Sequence, residues 1–200
     1  MKFTDALSKV SAGGTIYLLG GTYSYSSPII IDDTNNGSSG KYKTVSAAPG
    51  ATVVLDFSSE STSNSNYGVV LDGDYWHWYG IKIQNAGDNG MLLAGNNNII
   101  ELCEFYNNQD TGLQISRYKS SNTTLASWPT SNIVLNCSSH DNCDDATMEN
   151  ADGFAAKLTC GSGNVFDGCY SYNNSDDGWD LYAKEAPGAI GVVTIQNCIA

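Results

Sequence analysis

The chain is a succession of short apolar runs separated by polar, turn-forming stretches. Pro28-Ile29-Ile30-Ile31 is typical of the apolar runs, and nothing is long enough to span a membrane. In the second half the pattern repeats around four glycines. Asp88-Asn89-Gly90-Met91-Leu92-Leu93, Asp110-Thr111-Gly112-Leu113-Gln114-Ile115, Ala151-Asp152-Gly153-Phe154-Ala155-Ala156 and Asp176-Asp177-Gly178-Trp179-Asp180-Leu181 align without gaps. After each glycine the alternation has period two. Met91, Leu113, Phe154 and Trp179 form one column, and Leu93, Ile115, Ala156 and Leu181 form the next inward one. Between them Leu92, Gln114, Ala155 and Asp180 are predicted to face outward. A period of two means a strand with one buried face, recurring once per repeat.

The glycines are 22, 41 and 25 residues apart, and the long interval holds a polar insertion from Ser116 to Ser131 with Trp128-Pro129 inside it. A second column lies upstream in the repeat. Cys103, Cys137, Cys169 and Cys198 each follow a short apolar strand, and Asn108, Asn142 and Asn174 come five residues after the first three of them. Identical Asn side chains stacked one above another hydrogen-bond along the stack. Two columns in constant order predict an all-β parallel β-helix, in which each coil hides its apolar face only by stacking on neighbours. Phe3 to Val10 reads as a short amphipathic helix, with Ala6, Leu7 and Val10 on one side, that caps the open end of the stack. Gly13 to Leu18 and Tyr42 to Asp56 read as strands around turns. Residues 1–200 are expected to form a single β-helix domain. The last residues, Ile195 to Ala200, fall in the middle of a repeat, so the solenoid is expected to be incomplete at that end.

Composition sharpens this picture. Gly (21) and Asn (20) make up about a fifth of the 200 residues, which suits many tight turns and argues against a helical bundle. The formal net charge of −12 excludes a basic nucleic-acid surface. It would also repel an acidic ligand unless something bridges the two, and the usual bridge between carboxylates is a divalent cation. Met1-Lys2 runs straight into Phe3-Thr4-Asp5 with no apolar signal region, which leaves a trimmed signal and a cytosolic chain both open. Four of the six cysteines share one column and read as small buried hydrophobes. Cys143 and Cys160 remain, and whether they pair is open.

The repeat register places Asp152 and Asp177 at one position in successive coils, about 4.8 Å apart. Asp176 flanks them and Asp180 lies three residues beyond Asp177, so four carboxylates are expected to converge on one outer surface. Like charges at that distance need a cation or a proton. An all-oxygen set without Cys or His suits Ca²⁺ better than Zn²⁺. A solvated acidic turn is the alternative. Lys157 projects to the same side as Asp180; it either holds a substrate carboxylate or pairs with the aspartates. Arg117, Lys119 and Lys184 stand in the same two-way choice. His77 and His140 read as ordinary polar residues. Trp76, Trp78 and Trp179 read as core; Trp128, in a polar loop, is the better candidate for a sugar platform, with an ordinary packed residue as the alternative.

Glu149-Asn150-Ala151-Asp152-Gly153-Phe154-Ala155-Ala156-Lys157-Leu158 and Asn173-Asn174-Ser175-Asp176-Asp177-Gly178-Trp179-Asp180-Leu181-Tyr182 closely resemble the family 9 polysaccharide lyases, the pectate lyases of that family. Gly112 to Arg117, the Trp128-Pro129 loop and Leu135-Asn136-Cys137 also resemble them. The resemblance implies a right-handed parallel β-helix, secretion, and Ca²⁺-dependent β-elimination on polygalacturonate, an acidic polysaccharide; the chain is expected to be a monomer. It assigns the Ca²⁺ to Asp152, Asp176, Asp177 and Asp180. It also implies a catalytic lysine in an Asn-Gly-Phe-Lys-like segment on the following coil. No such segment occurs in these residues, so the base is expected beyond Ala200, with Lys157 or Lys184 as the fallback. Two other functions remain open at this point: a β-helix glycoside hydrolase acting on the same polymer, and a non-catalytic carbohydrate-binding β-helix.

Overall fold

The computed structural model describes residues 2–200 and consists almost entirely of short parallel strands. Helix α1 (Phe3–Lys9) comes first. The strands of the first two coils are β1 (Thr15–Leu18), β2 (Gly21–Ser24), β3 (Ile29–Ile31), β4 (Lys43–Ala47), β5 (Val53–Asp56) and β6 (Val69–Leu71). The middle coils add β7 (Trp76–Tyr79), β8 (Ile81–Gln84), β9 (Met91–Leu93), β10 (Ile99–Glu101), β11 (Glu104–Tyr106) and β12 (Leu113–Ile115). The last strands are β13 (Ile133–Leu135), β14 (Ser138–His140), β15 (Phe154–Ala156), β16 (Asn164–Asp167), β17 (Tyr170–Tyr172), β18 (Trp179–Asp180) and β19 (Val193–Gln196). Every third strand joins the same sheet. The first sheet runs β1-β4-β7-β10-β13-β16-β19, the second β2-β5-β8-β11-β14-β17, and the third β3-β6-β9-β12-β15-β18. All pairings between these strands are parallel, which makes the chain a three-sided parallel β-helix.

The corners are made by single residues in the left-handed region. Gly80, Leu102, Asn136, Gly168 and Asn197 turn the chain from the first sheet into the second. Asn85, Asn107, Asp141 and Asn173 turn it out of the second. Asn and Gly tolerate this backbone best, which accounts for their abundance. Leu102 adopts it as well, at φ 53°, and carries the steric cost a Cβ imposes there.

Behind each corner lies a buried column. Ile81 precedes Cys103, Cys137, Cys169 and Cys198 in one of them, since Lys82 pairs with Glu104. Cys103, Cys137 and Cys169 are buried, and Cys198 is half-buried on the last coil. Each thiol works in the stack: the Cys103 amide donates to Cys137 Sγ at 3.4 Å, and Cys137 Sγ donates to the Ile100 carbonyl at 3.4 Å. All six cysteines are free thiols, so Cys143 and Cys160 do not pair. The predicted Asn column is a ladder, with Asn108 Nδ2 donating to Asn142 Oδ1 at 2.9 Å and Asn142 Nδ2 to Asn174 Oδ1 at 2.8 Å. A second ladder runs through Asn98, Asn132 and Asn164, each side-chain oxygen accepting from the backbone one coil back. Its signal was an Asn immediately before the apolar pairs Ile99-Ile100, Ile133-Val134 and Val165-Phe166.

The register of the third sheet is the one predicted. Met91 pairs with Leu113, Leu113 with Phe154 and Phe154 with Trp179. The glycine before each strand is required by space. A Cβ on Gly153 would overlap Ser171 Oγ and sit 2.8 Å from Asn174 Nδ2, and one on Gly90 would meet Asn108 Nδ2 at 2.6 Å. The glycine column therefore lets the Asn ladder pass beneath the strands. One expectation fails here. Leu181 is 44% exposed instead of inward, because β18 ends at Asp180 and is the edge strand of its sheet. Leu92, Gln114 and Ala155 point outward but are buried, because loops cover the outer face; Tyr67 packs on Val70, Leu92 and Ala94 there.

One core cluster follows the coil axis from Phe3 and Leu7 of α1 to Phe166 and Cys169. Helix α1 closes the first end as expected, held by Asn35 Nδ2 donating to the Leu7 carbonyl at 3.0 Å. Trp76 and Trp78 are core residues, and half-buried Trp179 stacks on Phe154 with ring centroids 5.3 Å apart. Trp128 is not an exposed platform. It is 2% exposed, and its Nε1 donates to the Asn122 carbonyl at 3.1 Å. The insertion folds back on itself, and the large ring packs inward while its N–H finds a local acceptor.

Candidate metal centre and groove

Strand register builds the site. Asp152 precedes β15, and Asp176 and Asp177 precede β18 one coil further on. Since Phe154 pairs with Trp179, Asp152 lies beside Asp177. One carboxylate oxygen from each of Asp152, Asp176 and Asp177 lies within 4.8 Å of the others. Asp152 is fully buried while Asp176 and Asp177 are exposed, so the cluster has an inner anchor and an open side. Local bonds orient it. Asp152 Oδ1 accepts from the Asp177 amide at 3.3 Å, and Asp152 Oδ2 from Thr111 Oγ1 at 2.9 Å. Asp176 Oδ2 accepts from the Asn150 amide at 3.0 Å.

Asp180 reaches this group through a lysine. Lys157 Nζ lies 2.7 Å from Asp152 Oδ2 and 3.0 Å from Asp180 Oδ2. The other oxygen of Asp180 accepts from the Tyr182 amide at 2.8 Å. Burial alone would lower the Lys157 pKa, but its hydrogen bonds and charge pairing with Asp152 and Asp180 outweigh it and hold the ammonium above its usual range. Burial works against the ionised form of Asp152, while Lys157 and Thr111 favour it. Of the two roles open to Lys157, the structure places it as the counter-cation of the aspartates. The donors are oxygens throughout, with no Cys or His among them, and they fit a hard cation such as Ca²⁺.

Beside the cluster lies a groove in two stretches that share Tyr67, Gln114 and Leu158 as walls. One, of about 360 Å³, is lined by Asp88, Asp110 and Lys157. The other, of about 350 Å³, is lined by Arg117, Lys184 and Pro187. Half-buried Arg117 donates from Nη1 to the Asn122 carbonyl at 2.7 Å, and exposed Lys184 stands across the same stretch. Arg117, Lys157 and Lys184 thus face one surface. Lys119 does not join them. It pairs with Asp33 and lies 3.7 Å from Asp72, tying the insertion to the early coils. His140 is packed between Tyr106 and Tyr172 and bonded to Glu104 and Asp141, away from the cluster. Among the described residues no helix is long and apolar enough to cross a membrane.

The fold and the site together define a three-sided parallel β-helix with an acidic cluster at the edge of one sheet. The chain belongs to the family described as "Pel9A-like, right handed beta helix region", whose sequence profile matches residues 1–200. It is 51% identical over 195 residues to "Pectate lyase L" of Paenibacillus polymyxa (strain SC2), covering 98% of this chain and 43% of that protein. It is 47% identical to "Pectate lyase L" of Thermoclostridium stercorarium, covering 98% of this chain and 15% of that one. The crystal structure of pectate lyase Pel9A superposes with a TM-score of 0.85 at 32% identity, over 99% of this chain and 48% of that one. The chain spans less than half the length of each of these relatives.

Proposed function

We propose that this chain forms the calcium-binding and substrate-engaging part of a secreted, monomeric pectate lyase that cleaves polygalacturonate by β-elimination. The observation that carries the proposal is the tight cluster of Asp152, Asp176 and Asp177 oxygens, within 4.8 Å of one another, in a chain so similar to pectate lyases. Those three carboxylates, with Asp180 alongside, would hold one Ca²⁺. When bound, the cation stabilises the negative charge that develops as the weakly acidic C5 proton of a uronate is removed. A glycoside hydrolase needs two carboxyl groups set across a scissile bond; three carboxylates converging on one point favour a metal cage.

The chain's own residues divide the remaining work. Arg117 and Lys184 can take uronate carboxylates by charge-assisted hydrogen bonds along the groove. In the metal-free chain the Lys157 ammonium is engaged by Asp152 and Asp180, which favours a counter-cation role over that of proton acceptor. The outward position two residues after the glycine is filled in successive coils by Leu92, Gln114, Ala155 and Asp180. The family's lysine has that offset and would stack on Asp180, about one strand spacing from the metal.

The test is the full-length protein on polygalacturonate, with calcium and with chelator. An ultraviolet-absorbing unsaturated product that needs calcium, and that falls at least about 100-fold in Asp177→Ala, is expected. New reducing ends without ultraviolet absorbance would make the protein a hydrolase. Full activity in Asp177→Ala would remove the metal assignment.

A further inference from the structure

The third sheet carries another carboxylate pair that the proposed function does not use. Asp88 and Asp110 each stand two residues before their glycine, in register because Met91 pairs with Leu113. They are about one strand spacing apart. The next coil has Ala151 at that position and the one after has Asp176, so this column of carboxylates is interrupted on the coil that supplies Asp152 to the first cluster.

Asp88, Asp110 and Asn89 wall the same recess of about 360 Å³. Asp88 is 7% exposed and Asn89 only 4%. The side-chain oxygen of Asn89 is sealed from solvent and has no hydrogen-bond partner. Asp110 Oδ1 accepts the Thr111 amide at 2.6 Å. The ammonium lining the recess, Lys157, is engaged by Asp152 and Asp180. Burial pushes the Asp88 carboxyl up to about 7, and the Asp110 charge beside it pushes the same way. Two stacked carboxylates and an orphaned carbonyl therefore meet with few donors to satisfy them. An orphaned buried acceptor is costly, and a cation removes that cost for all three at once.

We propose that Asp88, Asp110 and the side-chain carbonyl of Asn89 form a second site for a divalent cation of the calcium type. The donors are hard oxygens from two carboxylates and an amide, with no thiolate or imidazole among the recess residues. The recess is open, which leaves coordination positions for water or for a ligand carboxylate. On the polysaccharide reading above, that ligand is a uronate of the same chain two coils away from the first metal.

Calorimetric titration with calcium chloride, without polysaccharide, tests the site on the full-length protein. The variants are Asp88→Asn/Asp110→Asn, Asn89→Ala and Asp177→Ala. Stacked Asn side chains already occur in this solenoid, so the double variant suits the fold, and circular dichroism checks that. The double variant is expected to bind one calcium fewer than the parent and to keep the calcium that Asp177→Ala loses. Asn89→Ala leaves both carboxylates in place and is expected to weaken one calcium by about tenfold; it carries the test if the double variant does not fold. An unchanged calcium number and affinity in the double variant, or in Asn89→Ala where only that variant folds, overturns the proposal. Loss of one calcium in the double variant with none lost in Asp177→Ala supports this site and overturns the Asp152 cluster.

Discussion

Replacing Lys157 by Met separates the two cations that compete for the aspartates. In the metal-free protein the Lys157 ammonium, with its side chain 10% exposed, is shared by Asp152, which is fully buried, and Asp180. Lys157→Met keeps most of the apolar stem and removes the charge. Breaking a buried ion pair by deleting one partner costs about 3–5 kcal/mol, because the other charge is left uncompensated. In a domain of this size each kcal/mol moves Tm by about 2–4 °C, so at the low end the chelated variant should melt about 6–12 °C below the parent. Calcium should reverse the order of effects. Two positive charges replace one, and no lysine opposes their entry. The variant should therefore gain more in Tm on adding calcium than the parent does. Its calcium affinity should rise by about tenfold or more, since 1.4 kcal/mol of relieved repulsion suffices for tenfold. Thermal melts in chelator and in calcium, with a calcium titration beside them, measure both. An unchanged Tm in chelator together with weaker calcium binding would show that Lys157 is neither the resident counter-cation nor a competitor, and would refute the reasoning.

Two further outcomes follow from buried polar groups. Asn142→Ala removes the acceptor of the Asn108 amide and of Asn108 Nδ2, at 3.1 and 2.9 Å, and orphans both in the interior. The loss should be at least about 2 kcal/mol, read as a Tm drop of about 4–8 °C, and a drop below 2 °C would mean the ladder is dispensable. Burial raises the Glu60 carboxyl to about 7, with only a partial offset from the Gly87 amide. The folded state then holds more protons than the unfolded state between about pH 4.5 and 7, so the parent loses stability as pH rises through that window. Glu60→Gln should match the parent near pH 4 and melt above it at pH 8; equal melting at both would contradict the shift.

The residue pattern by itself carried the architecture. A β-helix repeats one local solution per coil, so period-two strands, the glycine column and the cysteine and Asn columns appear in the chain as aligned text. Stacking then turns sequence alignment directly into contact: Asp152 beside Asp177, and Asn108 over Asn142 over Asn174. The Asn98-Asn132-Asn164 ladder is written in the same form, but an Asn before an apolar pair reads equally well as a turn. What the tertiary structure alone decided concerns everything outside the repeat. The loops that cover Leu92 and Gln114, the folding of the insertion around Trp128, and the choice of Lys157 for Asp152 and Asp180 rather than for solvent depend on side chains that meet across unequal segments. No periodicity relates those segments. Their positions follow from packing and charge balance in three dimensions, where a lysine goes to the nearest buried carboxylates and a tryptophan goes wherever the fold offers it an enclosed face.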